Sequence, residues 1–221
     1  MCCSSRYSIL FLLGILSVPV VMASSGTDWL MARYEAVASD ADALNRAWQA
    51  GRERATLCSY CHGKDGNSLK PEVPNLAGQN PLYLWTQIDH FARGTRKNFV
   101  MQALARDFSN EDKLNLAIYF SRNPVRRQKA EPARIAQGES LYQRNCAACH
   151  GDSAHGNQRI ARLAGQNPAY LIRTLRAFRD NATATSQNGG AVRRSRDMEA
   201  VAAGLSDADI RNLAAFLSTR P

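Results

Sequence analysis

The sequence predicts an all-α protein of two tandem helical domains related by internal duplication. Three observations lead to this prediction: apolar residues recur at helical spacing in both halves, no alternating strand pattern appears, and two sets of matching motifs follow one another in the same order. With 221 residues, 45% of them hydrophobic and 21% charged, the composition is typical of a globular chain and excludes a disordered or collagen-like one.

The N-terminus is predicted to be a secretory signal peptide over residues 1–23. Arg6 precedes an apolar run from Ile9 to Ala23, shorter than the roughly 18 residues that a membrane-spanning helix needs. Small residues at Val21 and Ala23 suit cleavage after Ala23. We therefore expect a periplasmic protein, and peripheral membrane association if the apolar segment is retained as an anchor.

The duplication is visible as motif pairs. Leu-Ala-Gly-Gln-Asn-Pro occurs at 76–81 and again at 163–168, and each occurrence follows a Cys-x-x-Cys-His motif. The spacing between equivalent residues grows by ten in the second copy, which indicates an insertion within 181–196. The mature chain divides into a helical N-terminal extension over 24–47, a first copy over 48–123, a charged linker with two prolines over 124–133, and a second copy over 134–221.

Helix starts recur at equivalent positions in both copies. Asn80 and Asn167 each precede a proline and are expected to cap a helix that has proline at its first position. Ser109 and Ser206 each stand three residues before an aspartate, the pattern of a capping box. In the extension, Ser39 is expected to begin one more helix.

Each copy contains cysteines three residues apart and followed directly by histidine. On one helical turn this spacing places both sulfurs on the same side, where they match the two vinyl groups of haem and form thioethers, while the histidine reaches the iron. The sequence therefore predicts two covalent haem c groups. The attachment residues are Cys58, Cys61 and His62 in the first copy and Cys146, Cys149 and His150 in the second.

Other uses of these cysteines fit less well. Zinc knuckles are normally about 12 to 20 residues apart, far closer than these two motifs. A thioredoxin-like pair requires a strand–helix–strand context, which the sequence lacks. A disulfide framework gives no reason for a histidine at the same place twice.

The sixth iron ligand determines whether each haem carries electrons or binds a substrate. Met101 and Met198 occupy equivalent positions, each eight residues before a capping serine, and are the candidate axial ligands of His/Met iron. Core filling is the alternative for any methionine, and it is the interpretation for Met31 in the extension. His90 has no counterpart in the second copy, and His155 lies too close to the second haem motif to reach the opposite face.

Together, the two haem motifs, the repeated Leu-Ala-Gly-Gln and the late methionines resemble the bacterial dihaem cytochrome c4 family, which has two class I cytochrome c domains. The resemblance covers 48–221 and implies haems facing each other across a pseudo-twofold interface. It implies Met101 and Met198 as iron ligands opposite the two histidines. It also implies a proline carbonyl that orients each ligand histidine, and this proline is Pro74 in the first copy but Ala161 in the second.

An iron bound by histidine on one side and methionine on the other has no free position for a substrate. The protein is therefore expected to be an electron carrier and not an enzyme. The resemblance implies a quinol–cytochrome c reductase or similar donor and a terminal oxidase or similar acceptor. Alternatives are a haem subunit of a larger periplasmic dehydrogenase or oxidase and, with less support, a dihaem peroxidase. The formal net charge of +9 favours acidic protein partners, and export excludes nucleic acid.

A run of arginines precedes Met198, at Arg193, Arg194 and Arg196. Two interpretations stay open at this point. The run provides counterions for haem propionate groups, or it forms a docking patch for an acidic redox partner.

Overall fold

The computed structural model describes residues 26–183 and 193–221, with side chains described over 28–182 and 193–221. The predicted signal peptide and most of the predicted insertion lie outside these ranges. Regular structure in the described part of the chain is helical, as predicted. None of the described helices is long and apolar enough to cross a membrane.

Eleven helices lie within the described residues. They are α1 (Gly26–Ala38), α2 (Ala41–Arg54), α3 (Ser59–His62), α4 (Pro81–Ala92), α5 (Phe99–Ala105), α6 (Asn110–Ser121), α7 (Pro132–Asn145), α8 (Ala147–His150), α9 (Pro168–Thr183), α10 (Arg196–Ala202) and α11 (Asp207–Thr219).

The two copies are built from the same helix crossing, α2 against α6 and α7 against α11. A glycine stands at each crossing. A Cβ on Gly51 would lie 2.0 Å from the backbone oxygen of Asn115, and a Cβ on Gly138 would lie 2.0 Å from that of Asn212. The helices therefore approach more closely than any side chain would allow, and each pair encloses its own hydrophobic core.

Three helices have the predicted side-chain cap: α6, α11, and α9, where Asn167 accepts from the N–H of Ala169 (3.3 Å). Complete capping boxes join Ser109 to Asp112 at α6 and Ser206 to Asp209 at α11. The side chain of Asn80 is an exception: although α4 begins at the following proline, Asn80 makes no capping bond. Its amide donates instead to the backbone oxygens of His155 and Ile160 in the second copy.

The extension is helical, but its second helix extends into the first copy. Helix α2 begins after Asp40, whose carboxylate caps it, and not at Ser39. It then runs past residue 48. Helix α1 packs on the first core through Leu30 and Val37, and the ring of Trp29 lies 6.3 Å from that of Trp85 on α4. The first copy is therefore covered by a helix that the repeat does not contain.

The copies meet through the repeated glutamine of Leu-Ala-Gly-Gln-Asn-Pro. The Oε1 atom of Gln79 accepts from the backbone N–H of Arg162 (2.7 Å), and its Nε2 donates to the Arg162 oxygen (2.8 Å). Reciprocally, Gln166 accepts from the N–H of Asn75 (2.7 Å) and donates to the Asn75 oxygen (2.9 Å). Each copy thus makes the same contact with the other, which is the mark of a pseudo-twofold interface.

Candidate functional site

The cysteines stand on single helical turns. Helix α3 starts directly after Cys58, and α8 starts directly after Cys146, so each Cys-x-x-Cys-His motif is one short turn that ends at its histidine. The four cysteines of the described residues are free thiols. Burial raises the pKa of Cys58, and it raises the pKa of Cys146 to about 11, so both are protonated at neutral pH before any thioether forms.

Both predicted iron-binding histidines are buried and held by a backbone carbonyl. Nδ1 of His62 lies 2.9 Å from the oxygen of Pro74, and Nδ1 of His150 lies 2.9 Å from that of Ala161. Burial lowers the pKa of both rings, so they are neutral. A neutral ring that donates from Nδ1 has its lone pair on Nε2, which is the form that ligates a metal.

The two candidate methionines are placed identically in their copies. Met101 is the third residue of α5, and its backbone N–H donates to the side chain of Asn98, which caps that helix. Met198 is the third residue of α10, where Ser195 has the same role. Met31 packs on the first hydrophobic core, as predicted.

The donor set fits haem c in each copy. Two unpaired thiols on one turn are available for thioethers, and a neutral histidine is available for the iron. In the first copy, the buried Nε of Arg96 has no hydrogen-bond partner among the described residues. A buried N–H of a guanidinium without a partner is suited to an anion, and haem carries carboxylates on its propionate side chains.

The arginine run before Met198 is not a continuous docking patch. The guanidinium of Arg193 turns inward and donates to the hydroxyls of Tyr83 and Tyr170. Arg194 pairs with Glu199 at 2.8 Å. Two of the three side chains therefore make contacts within the molecule, and the docking interpretation loses its support at Arg193.

Sequence reasoning missed the residues that join the copies. The glutamine of the repeated motif was visible, yet nothing in its neighbourhood along the chain indicated a partner about 90 residues away. The crossing glycines were also missed, although Gly51 stands seven residues before Cys58 and Gly138 eight residues before Cys146.

Comparison with known proteins agrees with this geometry. The family model described as Cytochrome c matches residues 135–221. The cytochrome c4 of Azotobacter vinelandii is 33% identical over 187 residues, which cover 76% of this chain and 86% of that protein. The thiosulfate dehydrogenase electron acceptor of Thiomonas intermedia (strain K12) is 31% identical over 188 residues, which cover 79% of this chain and 83% of that protein.

Solved structures point the same way. The crystal structure of reduced recombinant cytochrome c4 from Pseudomonas stutzeri matches with a TM-score of 0.68 and 30% sequence identity, covering 78% of this chain and 98% of that one. The predicted all-α cytochrome c fold is therefore confirmed, and so is covalent haem c as the cofactor, which the two Cys-x-x-Cys-His motifs fit. The chain belongs to the dihaem cytochrome c4 family, and it is a c-type electron carrier, not an enzyme.

Proposed function

We propose that this protein is a periplasmic carrier of single electrons between respiratory-chain partners, with both irons closed by methionine. The observation that supports closure is the equivalence of Met101 and Met198, each third in a short helix with a side-chain cap on its own N–H. A methionine in the sixth position leaves no place for substrate and favours ferrous iron.

The chain's own residues prepare each site for electron exchange. Haem, when bound, supplies the one-electron chemistry. The carbonyls of Pro74 and Ala161 keep the histidine rings oriented, so little must move when the charge of the iron changes. Burial of both rings excludes water and keeps them neutral.

Replacing each methionine tests the proposed ligands. In Met101→Ala or Met198→Ala, we expect the red-end sulfur-to-iron absorption band to fall by about half, because one of two His/Met centres is lost. That haem should also bind added cyanide, and its midpoint potential should fall. Met31→Ala serves as the control, since this residue packs on the first core. An unchanged band in either ligand variant would contradict the assignment.

The proposed direction is from a quinol–cytochrome c reductase or similar donor toward a terminal oxidase. A second candidate, acceptance of electrons from a periplasmic dehydrogenase, is favoured by the Thiomonas intermedia relative, which is named as the electron acceptor of thiosulfate dehydrogenase. Mixing the oxidised protein with thiosulfate dehydrogenase and thiosulfate, and separately the reduced protein with oxidase-containing membranes, distinguishes the two. The true partner exchanges electrons at a rate that falls as salt is added.

The proposed location has its own test. Cleavage after Ala23 followed by haem attachment predicts an exported protein that begins at Ser24. Its mass should exceed that of the polypeptide by two haem groups. Recovery in the membrane fraction with the apolar segment intact would instead support an anchored carrier.

A further inference from the structure

The glutamines that join the two copies also lie close to the histidine sites. Gln166 of the second copy accepts from the backbone N–H of Asn75 in the first (2.7 Å) and donates to its oxygen (2.9 Å). Asn75 directly follows Pro74, whose oxygen lies 2.9 Å from Nδ1 of His62. A chain of two hydrogen bonds therefore connects Gln166 with the predicted iron-binding histidine of the opposite copy.

These two hydrogen bonds share one peptide group. The carbonyl of Pro74 and the N–H of Asn75 belong to the same planar unit, through which electrons are delocalised. The acceptor on its N–H, Oε1 of Gln166, shifts electron density toward the carbonyl oxygen, so the oxygen becomes a stronger acceptor. The contact made by Gln166 therefore strengthens the hydrogen bond that His62 donates.

The duplication repeats this arrangement in the opposite direction. Gln79 of the first copy accepts from the backbone N–H of Arg162 in the second (2.7 Å) and donates to its oxygen (2.8 Å). Arg162 directly follows Ala161, whose oxygen lies 2.9 Å from Nδ1 of His150. Each predicted iron-binding histidine is thus connected with a glutamine that belongs to the other copy.

Both glutamine side chains are held in this orientation. Each is buried, with 6% of its surface exposed. Oε1 of Gln166 accepts a second N–H from Asn167 (2.8 Å), and Oε1 of Gln79 accepts one from Asn80 (3.0 Å). A reversed amide would place its NH₂ group against two N–H donors, so these neighbours fix the oxygen toward the shared peptide group.

We propose that Gln79 and Gln166 are positioning residues that act across the interface, each strengthening the hydrogen bond of the ligand histidine in the opposite copy. This proposal rests on the proposed function, because it requires both histidines to bind iron. A stronger hydrogen bond from Nδ1 makes the ring a more basic ligand. A more basic ligand favours ferric iron, so each glutamine lowers the reduction potential of the haem in the other copy.

The test is a potentiometric titration of the purified holoprotein and two variants, Gln166→Met and Gln79→Met. Methionine is similar to glutamine in length and removes both hydrogen bonds. Gln166→Met should raise the midpoint of the first haem by about 30 mV, a threefold rise in its reduced-to-oxidised ratio at fixed ambient potential. Gln79→Met should raise only that of the second haem. Met101→Ala and Met198→Ala identify which midpoint belongs to which haem.

A second measurement follows the histidine hydrogen bond directly. In reduced protein with isotope-labelled histidine, nuclear magnetic resonance gives the rate at which each Nδ1 proton exchanges with solvent deuterium. In Gln166→Met the proton of His62 should exchange about three- to tenfold faster, and that of His150 at an unchanged rate. The sulfur-to-iron band reports the methionine side of the iron instead, so a failure of the proposed methionine ligation would be seen separately.

Asn80→Ala is the matched control. It removes an amide that also crosses the interface, to the oxygens of His155 and Ile160, but contacts neither shared peptide group. A variant that only loosens the interface would admit water to both haems, and water favours the more highly charged ferric iron, so both midpoints would fall. The proposal would be overturned by such a fall, by a shift in the glutamine's own copy, by no shift in either variant, or by an equal shift in Asn80→Ala.

Discussion

His62 and His150 each direct Nδ1 at a backbone carbonyl 2.9 Å away, although one carbonyl belongs to Pro74 and the other to Ala161. The acceptor in each case is a main-chain oxygen. The side chain of Pro74 or Ala161 therefore affects the rigidity of the turn but not the hydrogen bond. The sequence difference between the copies therefore leaves the orientation of the second histidine unchanged. It provides no reason for unequal haem sites.

Asp209 in the capping box of α11 should make the stability of the folded protein depend on pH. Hydrogen bonds from Ser206 lower its pKa below the ordinary value. A lowered pKa stabilises the folded chain above the unfolded pKa, and this stabilisation is lost as pH falls through the folded pKa. Asp209→Ala should therefore cost about 1 kcal/mol at pH 7, and much less in acid below the folded pKa.

Urea unfolding at both pH values measures this difference. Glu139→Ala, exposed on α7 and outside any cap, serves as the control and should change stability little at either pH. A cost for Asp209→Ala that is equal at the two pH values would show that the carboxylate charge has no part in capping.

At the scale of elements, the crossing of α2 with α6 depends on the missing side chain of Gly51. In Gly51→Ala the new methyl would lie 2.0 Å from the oxygen of Asn115 and 2.8 Å from Cβ of Tyr119. Backbone cannot move aside as a side-chain tip does, so the helices must separate. We expect a loss of about 2–3 kcal/mol in the free energy of unfolding.

The same substitution can be made at Gly138 in the second copy, and Gly204 provides a control. Gly138→Ala should cost a similar amount, because Asn212 stands equally close. Gly204→Ala adds a methyl that meets nothing within 4 Å and should change stability by less than about 0.5 kcal/mol. If thermal or urea unfolding showed the three variants to be alike, close approach would not be the reason for these glycines.

At the scale of the whole molecule, the reciprocal glutamines link the two copies. Gln166→Ala would leave both the N–H and the C=O of Asn75 without their partners at a buried position. We expect a loss of about 2–4 kcal/mol, and a urea transition that separates into two because the copies no longer unfold together. Gln143→Ala, exposed on α7, is the matched control. A single transition at an unchanged urea concentration in Gln166→Ala would show that the two copies unfold together for a reason other than this contact.

Local signals explain what could be predicted. Haem attachment needs only neighbours along the chain, so Cys58, Cys61 and His62 are recognisable without a structure, and the capping box at Ser109 is recognisable for the same reason. The prediction that Asn80 caps α4 is wrong, because the Asn80 amide binds backbone oxygens of the other copy and no local rule contains that partner. Helix α2 begins at Ala41, later than the start predicted from Ser39, because the carboxylate of Asp40 accepts from the first backbone N–H groups of the helix.

Residues close together in the chain carry the signals of the duplication, the helical class, the two haem motifs and the candidate methionines, so all four are predictable without a structure. The docking of the copies is visible only in the folded protein, where Gln166 contacts Asn75 across 91 positions and Arg96 contacts Tyr170 across 74. Such partners leave no local pattern, since they are brought together only when two finished domains pack face to face. Coupling between the two halves belongs to that packing and not to either copy alone.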